Sequence, residues 1–428
     1  MTPPARRGAL AELTELTELT ELTSLSGTTL SFPEAVVLAE DSPFTPGAGV
    51  MPEVMAGREA VIGAMTAQMK RALKGRAARS LVLHGLRGTG KTSILLEARE
   101  RAEAMGCAVA WIEAVPDKPF LQQLVAQLRK ILIALDDVEK ARAFVKRAGR
   151  AMASLVKSVN VQFPGGSVGV EFEPEPGIAD SGDLETDLPD LLEAVGLAAK
   201  HAGTAVVLIV DELQFVGNDH LNALIVSMHR IAQRRLPVVT IGAGLPNVLR
   251  QLGESRSYSE RLFIAETVEP LSREDTDAVV RRTLALEKVE IGGRALDTLW
   301  AETQGYPHFI QEWGNGCWIV ATGSPIRRRD VEAASERARA ALDRGFFQMR
   351  LDRCTPQEMD YLRALAALGP GEHGPGAVAK AYGAGSSSQL NSTRQHLIAK
   401  GMIYAPGYGK LAFTVPHFED FLARYAGQ

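Results

Sequence analysis

Cysteine is scarce in this chain, and its positions show no metal-ligand spacing. The three cysteines among 428 residues, Cys107, Cys317 and Cys354, are odd in number and far apart. Zinc sites usually place their ligands in closely spaced pairs, so this pattern argues against one. The cysteine content favours a reducing cytosol as the location of the protein.

The chain also lacks a strong charge of one sign and a long apolar segment. Its net charge is −4, so any surface that binds nucleic acid must be local. No apolar run approaches the roughly 20 residues that a membrane-spanning helix needs, and the basic first residues lead into Glu12, Glu15 and Glu18 instead of an apolar signal core. Membrane insertion and secretion are both disfavoured.

A content of 46% hydrophobic and 23% charged residues is typical of soluble globular protein, and the length allows two or three domains.

The most informative segment is a glycine-rich pattern within residues 80–93. A short apolar run leads into G-x-x-x-x-G-K-T, and a predicted helix follows at residues 94–105. Glycines allow backbone N–H groups to point at phosphate oxygens, and the helix adds the positive end of its dipole. A chance glycine-rich turn is the alternative, which the strand before and the helix after make less plausible. The residues assigned to nucleotide binding are Gly85, Gly88, Thr89, Gly90, Lys91, Thr92 and Ser93, with Lys91 on the β and γ phosphates and Thr92 on Mg²⁺.

Two carboxylates follow another predicted buried strand, at residues 205–210. Asp211 and Glu212 come directly after it. In P-loop ATPases an acid at this position holds Mg²⁺, and the next acid can polarise the attacking water. Asp211 is therefore the predicted metal-side residue and Glu212 the predicted general base. The alternative is that both acids only cap the segment at residues 213–218.

The order of predicted elements indicates the fold class. Strands alternate with helices, which predicts an α/β fold with a doubly wound parallel sheet. Residues 159–172 alternate around Pro164, Gly165 and Gly166 and predict a hairpin insertion. The repeated Glu-Leu-Thr triplet at residues 12–23 makes no lasting apolar stripe and predicts a mobile tail. The further strands are predicted at residues 107–112 and 238–241, and the further helices at residues 60–73, 120–135, 188–201 and 220–235.

The C-terminal third has a different pattern. Residues 273–318 are predicted to be helical and to form a small lid. Beyond Thr355, three predicted helices and a hairpin indicate a winged helix-turn-helix. Those helices cover residues 357–368, 376–382 and 388–400, and the hairpin strands cover residues 402–405 and 410–415. The predicted divisions are a tail at 1–42, a P-loop ATPase core at 43–271, a lid with linker helices at 272–350 and a winged helix at 351–428.

These motifs resemble those of AAA+ and related signal-transduction ATPases, especially bacterial proteins similar to origin-recognition ATPases with a C-terminal winged helix. The resemblance covers roughly residues 43–424. It implies ATP and Mg²⁺ as cofactors and an ATPase that acts as a switch, and two departures from the family pattern, at residues 242–244 and at His308, predict slow turnover. The G-R-E motif at residues 57–59 implies a position near the adenine for Arg58, and the G-Y-P-H-F segment at residues 305–309 implies that Pro307 contacts nucleotide.

The same resemblance raises further expectations. Arg261 falls where the family often has an arginine finger that reaches into a neighbouring subunit, which implies a homo-oligomer on ATP binding; a salt bridge with Glu260 or a surface position is the alternative. The strand at residues 238–241 is followed by Gly-Ala-Gly, so the usual polar sensor is not evident, although Asn247 is a candidate. His308 stands near the position of a sensor arginine in replication AAA+ proteins, and a structural role is the expectation for it.

The partner of the predicted winged helix is open at this point. Asn391, Ser392 and Gln395 are predicted to face outward on the third helix, with Lys400 and Lys410 available for a DNA backbone. Acids nearly balance the basic residues beyond Thr355, so tight binding to duplex DNA by one copy is not expected. ATP-assembled multivalent DNA binding is one hypothesis, and a nucleotide-holding signalling module that binds protein is the other.

Overall fold

The computed structural model describes residues 42–47, 49–116, 118–159, 173–255, 259–415 and 417–425. The expected N-terminal tail lies outside these ranges apart from residue 42, and the expected hairpin insertion lies outside them apart from residue 159. Among the described residues, no helix is long and apolar enough to cross a membrane.

A parallel sheet forms the centre of the ATPase core. The strands are Ser80–His84 (β1), Ala108–Glu113 (β2), Val206–Asp211 (β3), Val238–Gly244 (β4) and Phe263–Thr267 (β5). Within the described ranges these five strands lie in the order β2-β3-β4-β1-β5, and every neighbouring pair is parallel. This confirms the predicted α/β fold. The edge strand β5 was not predicted, because it is half exposed and its apolar run is only three residues long.

Helices cover both faces of this sheet. Successive residues of a strand point to opposite faces, so Val82 joins the core on one side while Leu81 and Leu83 join the core on the other. The helices are Glu59–Leu73 (α1), Lys91–Ala104 (α2), Phe120–Asp136 (α3), Arg142–Ser158 (α4), Leu184–Ala202 (α5), Asn218–Arg234 (α6), Val248–Ser255 (α7) and Ser259–Leu262 (α8). The first core packs under α3 to α6, and the second packs under α1 and α2. Helix α4 was not predicted, because alanines make up much of its buried face and carry a weak apolar signal.

Helices of the lid follow β5. The expected helical stretch at residues 273–318 is divided into Arg273–Ala285 (α9), Gly293–Thr303 (α10) and Pro307–Val320 (α11). Next comes Arg328–Ala341 (α12), which continues through a π-helical segment, Leu342–Gln348, into the short helix Met349–Leu351 (α13). Residues 341–354 are here called the linker, and residues 355–425 are here called the C-terminal unit.

The C-terminal unit has its elements in the order that a winged helix requires. Its helices and strands are Pro356–Ala366 (α14), Pro375–Tyr382 (α15), Asn391–Ala399 (α16), Ile403–Tyr404 (β6), Ala412–Phe413 (β7) and Phe418–Tyr425 (α17). Strands β6 and β7 are antiparallel. His373 and Leu411 exchange two backbone hydrogen bonds of 2.8 Å, which adds a third short stretch beside the hairpin. The lid and the C-terminal unit share one apolar core.

The segment before α1 is anchored to the lid. Phe44 is almost fully buried and lies against α11 at Gly314, where a Cβ atom would stand 2.3 Å from the ring. The backbone N–H of Thr45 donates to Oε1 of Gln311 at 2.9 Å. A glycine is therefore required at position 314 for this segment to pack.

Gly314→Ala should lower the free energy of unfolding by about 1–3 kcal/mol, because the new methyl group overpacks the contact with Phe44. Thermal unfolding followed by circular dichroism measures this. Gly63→Ala is the control, since position 63 is an exposed place in α1 with no atom near the new Cβ. It should leave stability unchanged or raise it by up to about 1 kcal/mol. Equal stability of the two variants would contradict the proposed packing constraint.

Candidate nucleotide-binding site

The glycine-rich loop joins β1 to α2 at the carboxyl edge of the sheet, where open α/β folds bind ligands. Gly90 begins α2 with φ +89°, a left-handed conformation that disfavours side chains. Gly85 passes so close to the chain after β5 that a Cβ atom would lie 2.2 Å from the carbonyl oxygen of Val268. These constraints hold the loop in a turn that leads directly into the helix N-terminus.

Lys91 crosses the inside of this loop. Its Nζ donates to the carbonyl oxygens of Gly85 at 2.9 Å and Leu86 at 2.7 Å. Burial lowers the pKa of Lys91 to about 8, and the nearby Glu212 and Asp211 carboxylates oppose that shift. A phosphate group would offer this amine stronger acceptors than the two carbonyls, because hydrogen bonds between charged groups are shorter and stronger.

Asp211 and Thr92 meet at the end of β3. Oγ1 of Thr92 donates to Oδ2 of Asp211 at 2.7 Å. Burial raises the pKa of Asp211, and the hydrogen bond from Thr92 partly offsets that rise. A hydroxyl and a carboxylate side by side are oxygen ligands that suit Mg²⁺. The described ranges contain no group of three or more His, Cys, Asp or Glu residues for a metal, so phosphate oxygens and water would complete its coordination.

Glu212 has both of its carboxylate oxygens engaged. Oε1 accepts from Nη1 of Arg87 at 3.0 Å, and Oε2 accepts from Nε2 of Gln214. The backbone of Glu212 is left-handed, with φ +54°, a conformation that non-glycine residues adopt rarely and mainly at constrained sites. Sequence reasoning missed Arg87 and Gln214. Arg87 is a variable position of the loop pattern, and Gln214 belongs to no motif.

The end of β4 has no room for a polar sensor side chain. A Cβ atom at Gly242 would lie 2.3 Å from Cδ1 of Leu213. At Gly244 it would lie 2.9 Å from Oε1 of Gln214, an atom that also accepts from the backbone N–H of Leu245 at 3.0 Å. Gln214 thus takes the polar position beside the predicted base. Asn247, the candidate from the sequence, is not among the residues that line the two cavities of the site.

One cavity of the site is apolar and suits a nucleotide base. Arg58 closes it at one side, with Nη2 donating to the carbonyl oxygens of Thr89 at 3.0 Å and Glu269 at 2.6 Å. Burial lowers the pKa of Arg58, and Asp275 is the first of the carboxylates that oppose the shift. The apolar walls combine the segment before α1, the start of α2 and the lid: Pro52, Val54, Met55, Ile94, Val279 and Ile310.

The second cavity is polar and adjoins the first. Gly90, Ser93 and Pro307 line both cavities, which are therefore two ends of one site. The polar end brings together the predicted phosphate and magnesium residues Gly88, Lys91, Thr92, Asp211 and Glu212. All predicted cofactor-binding residues except Gly85 thus line one continuous cleft between the core and the lid.

His308 of the lid touches the phosphate loop. Its backbone N–H donates to the carbonyl oxygen of Gly88 at 3.3 Å, and its ring centroid lies 4.8 Å from that of Phe346. Burial, and secondarily Arg350, lowers the pKa of His308 to about 4. The imidazole is therefore neutral at neutral pH and brings no positive charge to a phosphate.

Arg261 lies away from the nucleotide site of its own chain. It is exposed at the end of α8 and borders a cleft with Ser80 and Val238, the first residues of β1 and β4. This is the amino edge of the sheet, whereas the phosphate loop is at the carboxyl edge. A finger acting across a subunit boundary stays a prediction. The alternative pairing with Glu260 lies outside the described side chains.

Comparison with known proteins agrees with this geometry. Residues 54–241 match the family model of the AAA ATPase domain. The chain carries an AAA ATPase domain. Residues 344–422 match a second model, described as a domain of unknown function (DUF8462). No curated protein matches the chain in sequence.

Solved structures extend the similarity of fold to most of the chain. The Walker-type ATPase PABY2304 of Pyrococcus abyssi is 16% identical, with a TM-score of 0.51, over 87% of this chain and 97% of that one. The ADP form of the ORC2 protein of Aeropyrum pernix is 14% identical, with a TM-score of 0.51, over 89% of this chain and 98% of that one. At this level of identity the similarity is one of fold.

Lys91→Ala should lower the affinity for both ATP and ADP more than tenfold, because a charge-assisted phosphate contact contributes roughly 1.5–3 kcal/mol. Glu212→Gln should keep nucleotide affinity and lose ATP hydrolysis. Titration with a fluorescent nucleotide and a phosphate-release assay measure the two effects. Lys74→Ala, at an exposed position after α1, is the control and should change neither. Unchanged nucleotide affinity in Lys91→Ala would contradict the assignment of this cleft as the nucleotide-binding site.

Proposed function

We propose that this protein is an ATP-dependent switch, a slowly hydrolysing AAA+-type ATPase whose nucleotide state sets the position of its C-terminal unit. One observation carries the proposal: Arg87 of the phosphate loop contacts both the predicted base and the C-terminal unit. Its backbone N–H donates to the carbonyl oxygen of Thr414 at 3.0 Å, and its Nη1 pairs with Glu212. The same guanidinium lies against Gly401, where a Cβ atom would be 2.7 Å from Nη2.

The proposed chemistry follows from the side chains at the polar end. Lys91 neutralises phosphate charge, Thr92 and Asp211 hold Mg²⁺, and Glu212 orients the attacking water. Mg²⁺, when bound, supplies further neutralisation of charge on the phosphate oxygens. Arg87 and Gln214 each donate to one oxygen of Glu212 and so fix the direction of its carboxylate. We infer that full activation of the water requires release of at least one of these contacts, which favours slow turnover and links it to the position of the C-terminal unit.

The switch predicts a change of distance between the ATPase core and the C-terminal unit. Spin labels at Arg76→Cys and Tyr408→Cys, two exposed positions, report that distance by double electron–electron resonance. Cys354→Ser removes the one native cysteine that is not buried. Addition of ATP and Mg²⁺ should shift the distance distribution, because phosphate oxygens compete with Glu212 for the Arg87 guanidinium. The Lys91→Ala variant serves as the control and should give no shift.

If the distance between the two spin labels is the same without nucleotide, with ADP and with ATP, the proposed switch function is contradicted. Arg87→Ala provides a second check in the absence of nucleotide. It should broaden the distribution, because it removes the ion pair while leaving the backbone contact with Thr414 in place. A narrow, unchanged distribution in this variant would mean that Arg87 does not hold the C-terminal unit.

We further propose that the C-terminal unit is a winged helix that binds duplex DNA when ATP assembles several copies. In support, the outward residues of α16, including Asn391, Ser392 and Gln395, are exposed and can hydrogen-bond to base edges. Lys410 and the fully exposed Tyr408 lie at the tip of the hairpin. Assembly would compensate for the small number of positive charges on one copy.

One expected DNA contact needs correction. Nζ of Lys400 donates to Oε2 of Glu358 at 2.6 Å and to the carbonyl oxygen of Arg353 at 2.7 Å. The Glu358 carboxylate is buried and also accepts from the backbone N–H of Thr355 at 2.7 Å, so Lys400 completes the start of α14. Its charge is already paired within the chain, and Lys410 is the remaining candidate for a phosphate contact.

Lys410→Ala should weaken binding to all DNA sequences and reduce the salt dependence by about one unit of slope, because one phosphate contact is lost. Changing Asn391 and Gln395 together to Ala should reduce sequence preference instead. Fluorescence anisotropy with ATP, Mg²⁺ and labelled duplexes at several salt concentrations separates the two effects. Lys400→Ala should mainly lower thermal stability, since it leaves the buried Glu358 without its partner.

Absence of DNA binding by the wild type with ATP and Mg²⁺ at low salt would exclude DNA as the partner, since electrostatic attraction is strongest there. A nucleotide-holding signalling module whose winged helix binds protein would then be the preferred function.

A further inference from the structure

We propose that Arg350, in the linker between the lid and the C-terminal unit, is a positioning residue that binds the terminal phosphate of ATP and so distinguishes ATP from ADP. The proposal rests on the proposed nucleotide binding and adds a residue outside the loop and strand motifs. Neither family model's description assigns such a role to the linker.

The linker forms part of the wall of the phosphate cavity. Ala341, Leu342, Gly345, Phe346 and Arg350 border the same space as Lys91, Thr92, Asp211 and Glu212. Most of these linker residues lie in the π-helical segment Leu342–Gln348 or in α13 directly after it. π-Helical turns are rare and occur frequently at functional sites, because they aim side chains in directions that an α-helix does not.

The Arg350 guanidinium faces this cavity without a counter-ion. Its central carbon lies 4.3 Å from the centroid of the Phe346 ring, a cation–π contact. In the part of the chain that the structure describes, no carboxylate comes within ion-pair distance of it and no acceptor within hydrogen-bond distance. Burial, and next the like charge of Arg87, lowers the pKa of Arg350 to about 10, so the group remains charged at neutral pH. A largely buried cation beside another arginine is unfavourable until an anion joins it.

The position of Arg350 along the cleft indicates which phosphate it would bind. The base end is apolar and closed by Arg58, whereas Arg87 and Glu212 are at the other end. Arg350 lines the polar cavity together with Arg87 and Glu212 and does not line the apolar one, so it belongs to the end away from the base. A nucleoside triphosphate places its terminal phosphate there, and a diphosphate does not extend as far.

The lid does not supply the positive charge at this place. His308 lies next to the loop but is neutral, and its ring packs on Phe346, the same ring that Arg350 covers. The Phe346 ring therefore lies between two side chains: His308, which is next to the phosphate loop, and Arg350, which belongs to the linker. Arg350 precedes Thr355, the first residue of the C-terminal unit, by five positions. A phosphate bound to Arg350 would fix the linker immediately before that unit.

The test compares ATP and ADP affinities in the full chain with Mg²⁺. Arg350→Ala should lower the affinity for ATP tenfold or more and the affinity for ADP less than twofold, because only ATP carries the phosphate in question. Arg350→Lys should give an intermediate loss for ATP, since an ammonium keeps the charge without the planar fork. Arg344→Ala is the matched control: Arg344 is an exposed arginine of the same π-helical segment and should leave both affinities unchanged.

Equal losses for ATP and ADP in Arg350→Ala would overturn the proposal, as would no loss for either. Thermal unfolding checks the fold of each variant; if Arg350→Ala is unfolded, Arg350→Gln replaces it with the same expected outcomes. The distance between the spin labels at positions 76 and 408 is a second measurement. It would not change in Arg350→Ala if Arg350 acted only on the bound phosphate. At saturating ATP, Arg350→Ala should keep the distance of the ADP state, and a distance equal to that of wild type with ATP would contradict the role of the linker.

These outcomes are separate from those of the proposed function. Loss of discrimination in Arg350→Ala with no label shift in the wild type would support the phosphate contact and reject the switch. Unchanged nucleotide affinity in Lys91→Ala would reject the nucleotide site itself.

Discussion

The rest of the arrangement depends on two contacts that Arg87 makes, one with the predicted base and one with the C-terminal unit. Its guanidinium pairs with Glu212, and its backbone N–H bonds to Thr414 of the C-terminal unit. The Arg87 and Glu212 side chains are only 20% and 27% exposed, so water and salt screen their attraction less than at an open surface. One residue of the phosphate loop thus connects the predicted general base with the C-terminal unit.

A second constraint is the balance of charge in the cleft. At the polar end, Lys91, Arg87 and Arg350 bring three positive charges, and Asp211, Glu212 and Glu312 bring three carboxylates. Burial lowers the pKa of Lys91 to about 8 and that of Arg350 to about 10, which is the cost of holding cations away from water. A bound polyphosphate would give both of these cations charged acceptors, which form stronger hydrogen bonds than carbonyl oxygens do.

The mechanical connection follows from packing. The lid and the C-terminal unit share one apolar core, whereas the sheet of the ATPase core has two cores of its own. A rearrangement that kept each core intact would therefore move the lid and the C-terminal unit together against the sheet. The polar interactions at that boundary include the contacts of Arg87 and the hydrogen bond from His308 to Gly88. Polar contacts of this kind exchange for water or phosphate more readily than an apolar core separates.

The amino-acid sequence by itself determined the sheet, the phosphate loop and the acids at the end of β3. These follow from local rules: apolar runs of strand length, glycines that allow a turn, and carboxylates placed directly after a strand. The sequence also indicated the order of helices and strands in the C-terminal unit. It missed β5, because an edge strand needs few buried residues, and α4, because alanine carries little apolar signal. Only the tertiary structure decided that Arg87 and Arg350 face the cleft, that Gln214 contacts Glu212, and that Lys400 is paired with Glu358 instead of facing solvent as a free charge. Their partners lie 125 residues away for Arg87 and Glu212 and 42 for Lys400 and Glu358, and no local pattern encodes contacts over such separations.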